Sequence, residues 1–412
     1  MNEFNKAYQY FFINQHIPYQ EALEAGKDAL NGKESKRFYV YAILLQYFHD
    51  DDSKDAPYLK PIVDGEANGC PLSGVLLSIL LQQGRAIEKH PAKAFSYFDK
   101  HKKALEELAY HGEPMAQSML GFLYQSGLFV KKDIESAMRY YHQAQKQGLR
   151  IAYHQLGLLY QQKGPYQNEQ KGHQLFDMVL KDKFVSSLFI KGLQNLKEKQ
   201  EDEAIHYLNQ AAELNYHHAM FSLGSYYMTK KQPEQAFELF MKASELGHLK
   251  ATYMVALAYA SGRGVAKDDK LSEMYLKHAA DKGDMLSAYQ MAATYMKKNP
   301  RPYVEIYEYL MVAAKKKHPL AIHNLGAMFL QGDGVMQDVK TALSFFEQGA
   351  HLGLPISLFQ AAKIYLEGVH VPKNEEKAKN YLEAAAKKKY KPAMLLLETL
   401  HRKTSSNSSY VA

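Results

Sequence analysis

The sequence predicts an all-α protein, an α/α superhelical solenoid of stacked antiparallel helix pairs. Three observations carry the prediction. Apolar residues recur at spacings of three and four through most of the chain. Small residues mark unit starts at Ala116, Ala152, Ser187, Ala219, Ala251, Ser287, Ala321, Ser357 and Ala393, 32 to 36 residues apart. Glycines stand at one fixed distance after four of those starts, at Gly127, Gly262, Gly332 and Gly368. The stretch from Ala251 to Asp284 shows the plan most clearly, with two helices joined by a glycine-bearing loop and closed by a second glycine.

In chain order, residues 1–72 form an irregular helical N-terminal cap. Pro18 can open a helix running to Ala29, and Phe38, Tyr41, Leu45 and Phe48 share one helical face. The acidic run Asp50 to Asp55 lacks the glycine turn and the closing Glu of a calcium loop, so it reads as a solvated break. From Ser73 a degenerate unit begins, with Leu77, Gly84 and Ala94 at offsets that recur later. The solenoid spans residues 73–402.

Four 36-residue units, starting at Ala116, Ala251, Ala321 and Ser357, superimpose without a gap. The glycines eleven residues on suit a left-handed helix C-terminus, where a β-carbon costs energy. Val130, Val265, Val335 and Val371 can plug the loop onto the core. Asp133, Asp268, Asp338 and Asn374 are N-caps for the second helix, worth about 1 kcal/mol each. Small residues at Ala137, Ser272, Ala342 and Ala378 let the helices approach, and the rings of Tyr140, Tyr275, Phe345 and Tyr381 fill the space beside them. In the first helix a small residue follows an apolar one, as in Leu120-Gly121 and Leu325-Gly326. A mid-helix glycine implies a neighbour too close for a side chain.

The pattern Ala321-x-x-x-Leu325-Gly326-x-x-Phe329-x-x-Gly332-x-Gly334-Val335-x-x-Asp338-x-x-x-Ala342 resembles the Sel1-like repeat family, relatives of tetratricopeptide repeats. The resemblance covers roughly residues 73 to 400. Units at Ser187 and Ala219 depart from it: they have 32 residues, lack the Gly-x-Gly-Val loop, and read as tetratricopeptide hairpins, with Pro233 opening a second helix. The unit at Ala152 has a different loop, Gly164 to Asn168. Residues 403–412 break the periodicity and are rich in serine, the composition of a disordered tail.

Composition narrows the function. With 46% hydrophobic and 23% charged residues the chain folds, and no window is long and apolar enough to span a membrane. The N-terminus lacks the marks of a secretory leader, so the expected location is cytoplasmic. The lone Cys70 leaves no disulfide and reads as a buried thiol. A net charge of +7 is mild, and the clusters Lys315 to Lys317 and Lys387 to Lys389 sit at helix ends, where they favour the dipole.

No catalytic set is found, no cofactor or metal site is expected, and the reading is non-enzymatic. His217-His218 has no third ligand at a usual spacing, so capping or surface roles are expected for it. Gly262-Arg263-Gly264 and Gly332-Asp333-Gly334 follow helices rather than strands and read as turns, not phosphate loops. By resemblance to tetratricopeptide arrays, the first helix of each unit lines the concave side. On that alignment a groove row follows: His154, Phe189, Phe221, Tyr253, Tyr289, His323 and Phe359, suited to anchoring a protein or peptide. The other reading is that these rings pack between repeats. The resemblance implies a scaffold or adaptor. An alternative is a bacterial effector, delivered into a host cell without a cleavable signal peptide, that engages a host protein through the same solenoid. An RNA-binding repeat is disfavoured by the apolar groove and mild charge, and no nucleic acid partner is expected.

Overall fold

The computed structural model describes residues 3–12, 17, 19–32, 36–48, 57–180 and 184–408. Among them no strand forms, and a single bridge joins Phe12 to Leu149. The contacts divide the chain into two units, Met1–Lys267 and Asp268–Ala412.

In the first unit, successive helices pair. α1 (Glu3–Gln9) packs on α2 (Tyr19–Asp28), α3 (Arg37–Phe48) on α4 (Leu59–Ala67), and α5 (Pro71–Gln83) on the 20-residue α6 (Pro91–Tyr110). Four regular hairpins follow: α7 (Pro114–Ser126) with α8 (Ile134–Lys146), α9 (Arg150–Gln161) with α10 (Glu169–Leu180), α11 (Val185–Lys197) with α12 (Glu201–Glu213), and α13 (His217–Thr229) with α14 (Pro233–Glu245). α15 (Leu249–Ser261) packs on α14 and ends the unit. The second unit starts at α16 (Asp269–Asp281). It pairs α17 (Met285–Tyr295) with α18 (Tyr303–Lys315), α19 (Pro319–Gln331) with α20 (Val339–His351), and α21 (Pro355–Glu367) with α22 (Glu375–Lys387), and closes on α23 (Lys391–Ser408). Within each unit this is an α/α solenoid of helix pairs. α23 carries the chain in helical form past Arg402 to Ser408. Pro18, the acidic run from Asp50 to Asp55, and residues 409–412 lie outside the described residues.

The repeat chemistry read from the sequence sets this geometry. Each unit start, from Ala116 to Ala393, is completely buried, because there the helices touch most closely. Gly127, Gly262, Gly332 and Gly368 are all left-handed C-caps, with φ of 73°, 68°, 77° and 66°. The side chains of Asp133, Asp268, Asp338 and Asn374 accept backbone N–H bonds at the start of the following helix. Val130 and Val371 pack on the core as loop plugs. In the two shorter repeats the turn is made instead by Lys199 and Lys231, at φ of 63° and 59°, and Pro233 is the first residue of α14.

One packing rule goes beyond the sequence reading, which left the close neighbour of the mid-helix glycine unidentified. The ring that enters the space at the mid-helix glycine is not Tyr140 or Phe345 but the next residue, Tyr141 or Phe346. A β-carbon on Gly121 would lie 2.7 Å from Tyr141, and one on Gly326 would lie 2.8 Å from Phe346. Gly157 meets Phe176, Gly224 meets Phe240 and Gly192 meets Leu208 in the same way. All five partners are the eighth residue of their helix. The residue before it turns about 100° away, and there Tyr140 stacks on Tyr124 at 5.7 Å and Phe345 on Phe329 at 5.7 Å.

Candidate functional site

The seven groove-row residues all lie near the start of a first helix, and a ring on a neighbouring helix meets most of them. In the first unit, Phe189 on α11 meets Tyr216 edge-on at 5.3 Å. Phe221 on α13 stacks on His248 at 4.6 Å, with the planes 19° apart. In the second unit, Tyr289 on α17 stacks on His318 at 4.3 Å, and Phe359 on α21 meets Tyr390 at 5.6 Å. Tyr216, His248 and His318 are N-caps of the next first helix, and Tyr390 directly precedes α23. So each of these rings is held across a repeat junction by the residue that starts its neighbour.

His154 and His323 pack within their own hairpins, against Phe176 at 5.6 Å and Phe346 at 5.2 Å. His323 Nδ1 also lies 3.1 Å from Ser357 Oγ on α21. His154 is half-buried as a residue, its Nδ1 is buried with no hydrogen-bond partner, and desolvation pushes its pKa down to about 4. Tyr253 on α15 is half-buried. All but His323 keep part of their surface in solvent. The packing fixes their rotamers, so little side-chain entropy is left to lose if a ligand covers them.

An open apolar groove of about 470 Å³ lies in the first unit, and none of the seven row residues lines it. Its walls come from α3, α5, α7 and α9, through Tyr39, Ile79, Met119, Phe122 and Ile151 among others. Phe122 is 36% exposed and sits four residues after Ser118, which holds, two residues after Ala116, the place that the row residues hold in later units. Ser118 also lines the groove.

The N-terminal segment crosses the starts of three first helices. Tyr8 donates to Glu113 Oε1 at 2.6 Å, and Lys36 Nζ donates to Glu113 Oε2 at 2.8 Å. The Arg150 backbone N–H donates to the Phe11 carbonyl at 2.6 Å, and its guanidinium donates to the Tyr10 carbonyl at 2.8 Å. The Tyr10 ring stands 6.1 Å from Phe184. Glu113, Leu149 and Phe184 are the N-caps of α7, α9 and α11, so one edge of the hairpin stack holds a length of backbone. Burial, then the Glu113 carboxylate, raises the pKa of Tyr8 and keeps it a donor. The sequence reading missed this docking; the aromatic run Tyr8 to Phe12 and an arginine at an otherwise apolar position were its only signs.

The histidine pair is also placed differently from the capping or surface roles expected. His217 is fully buried, and the N-cap of the next first helix, His248, joins the pair. The ring centroids are 4.2 Å apart for His217 and His218, 5.1 Å for His217 and His248, and 5.0 Å for His218 and His248. His248 Nδ1 accepts the Ala251 N–H at 3.1 Å. Burial first, then His218 and Lys250, hold the pKa of His248 down at about 3, so this ring is neutral at pH 7. Cys70 is a buried thiol, with its pKa raised by burial. No described helix is long and apolar enough to cross a membrane.

Glycine-capped hairpins packed through small residues define a helical-repeat protein of the tetratricopeptide-like class. The family model of the Sel1 repeat matches residues 114–149, 150–178, 187–216, 217–248, 249–284, 319–354 and 355–390, more than half of the chain. The chain therefore belongs to the Sel1 repeat family. A protective antigen of uropathogenic Escherichia coli strains, c5321, displays an SLR fold and matches with 21% identity and a TM-score of 0.53, over 98% of this chain and 87% of that one. A Sel1 repeat protein from Oxalobacter formigenes matches at 21% identity over 95% of each chain, with a TM-score of 0.29. At such identities the likeness to c5321 shows the fold. Residues 285–318 fall outside the family matches, yet they build the hairpin α17–α18 in the same manner.

Proposed function

We propose that this protein is a non-enzymatic scaffold that holds a protein partner on the first-helix face of its repeats. The observation that carries the reading is the open apolar groove walled by α3, α5, α7 and α9, with Phe122 standing half in solvent at its side. Grooves between packed helices with exposed aromatic anchors suit an apolar helix or peptide. The half-exposed rings Phe189, Phe221 and Tyr253 in the first unit, and Tyr289 and Phe359 in the second, extend the same chemistry to later repeats. Family membership agrees, since arrays of this class act by holding other proteins.

The test is site-specific photo-cross-linking in the native cell. A photoreactive residue replaces Phe122, and a control replaces Phe95, which is 58% exposed on the second helix α6. The expected outcome is one discrete adduct at position 122 that is absent at 95 and is reduced by the double variant F221A/Y253A. Identical adducts at both positions would overturn the assignment of the face.

A further inference from the structure

We infer that His217, His218 and His248 form a binding site for a divalent transition metal ion such as zinc, at the junction of α13 and α15. One candidate nitrogen from each ring lies within 4.8 Å of the others. Three imidazoles radiating from one tetrahedral ion, at metal–nitrogen distances of about 2.1 Å, place their ring centroids roughly 5 Å apart. The observed separations are 4.2, 5.1 and 5.0 Å, and the planes are inclined at 50°, 63° and 82°. The rings are inclined to one another rather than stacked, and nitrogens within 4.8 Å of one another close by up to about 1.4 Å to reach tetrahedral spacing.

The surroundings support the same conclusion. Phe221 stacks on His248, Tyr216 meets His218 edge-on at 5.2 Å, and Phe189 lies 6.0 Å from His218, so aromatic walls hold the rings in place. Fold alone does not ask for three imidazoles here. The positions equivalent to His217 in the other first-unit repeats are Pro114, Arg150, Val185 and Leu249, and those equivalent to His248 are Glu113, Leu149, Phe184 and Tyr216 in the first unit and His318 in the second, so a capping histidine recurs while the adjacent pair His217-His218 does not. An all-imidazole set selects zinc, copper, nickel or cobalt over calcium or magnesium, which take oxygen ligands. His218, the half-exposed member, leaves an approach for the ion and for a water in the fourth position.

The cap bond decides how His248 takes part. Because Nδ1 accepts the Ala251 N–H, Nε2 carries the proton of the neutral ring. Ligation through Nε2 moves that proton to Nδ1 and gives up the cap bond. His248 thus either caps α15 or holds the ion, and metal loading is coupled to the first turn of α15.

The experiment titrates the full chain, stripped with a chelator, with cobalt(II) and separately with zinc(II). The expected result is one equivalent of cobalt with the visible d–d absorption of a tetrahedral nitrogen site, displaced by zinc. The variants are H218Q, at the half-exposed ring, and H248N, whose side-chain oxygen retains the cap while removing the imidazole. Each is expected to raise Kd at least tenfold with an unchanged far-UV circular dichroism spectrum. No cobalt signal in the wild type, or equal binding in both folded variants, would overturn the site. If H248N fails to fold, H218Q decides alone.

Discussion

At the residue scale, the mid-helix glycines show how a single missing methyl sets a helix spacing. Alanine is a better helix former than glycine by about 1 kcal/mol, so isolated propensity argues for replacement. Contact argues against it. A β-carbon at Gly326 would lie 2.8 Å from the Phe346 ring and 3.2 Å from the Ala342 carbonyl, and neither the enclosed ring nor the backbone can retreat freely. Overpacking of this kind costs about 1 to 3 kcal/mol. Gly326→Ala is therefore expected to destabilise by about 1 kcal/mol net in chemical denaturation; an increase in stability would show that α19 and α20 separate without strain. The glycine was legible from the sequence as a close approach, whereas its partner was not. Phe345 and Phe346 are both rings, and which one faces the glycine depends on the phase of α20, set by the loop before it. The rule appears only when residues are counted from the observed helix start.

At the scale of the element, the turns between hairpins repeat as faithfully as those within them. Just before the cap residue of a first helix the chain is left-handed: Gly112, Gly148, Gly247, Gly283 and Gly353 have φ between 77° and 89°. Asn215, Lys317 and Lys389 occupy the same place with φ of 59°, 63° and 60°. The lysine clusters were correctly read as helix ends, since Lys315 and Lys387 lie in the last turns of α18 and α22. Nothing in the residue type announced that the third lysine of each would adopt a conformation that costs an L-residue about 1 to 2 kcal/mol. Lys317→Gly removes that strain and adds part of it back as unfolded-chain entropy. The expected outcome is a gain of about 0.5 kcal/mol in the denaturation midpoint analysis, with a loss of stability counting against this account.

At the scale of the whole molecule, the periodicity that made the repeats legible could not reveal contacts made outside it. The repeat helices, their caps and their loops follow from residues a few positions apart. The docking of the N-terminal segment joins Tyr10 to Arg150, 140 residues away, and no local pattern encodes it. The same holds for the histidine cluster, where His248 stands at the far end of the hairpin that the pair opens. Arg150 is 1% exposed, so its charge is retained in the interior by the Tyr10 carbonyl and the nearby Phe184 ring, 6.0 Å away. Arg150→Met keeps the bulk and removes the donor, leaving the Tyr10 carbonyl buried, at a cost of about 1 to 3 kcal/mol. In limited proteolysis this variant is expected to lose its first dozen residues well before the repeats are cut. Equal cleavage of variant and wild type would show that apolar packing alone retains the segment.

The ring pairs at the repeat junctions also bear on how such a chain can grow. The glycine loop is the same text in four places, so a break there can be rejoined to any copy. A break within a hairpin would nonetheless separate Phe221 on α13 from His248, or Tyr289 on α17 from His318, and leave each half facing a stranger. Duplication or loss of a unit is least disruptive when the crossover falls just past the cap residue, so that both rings of a pair travel together. The loops are shared words, while the ring pairs supply the syntax that fixes which words stand together.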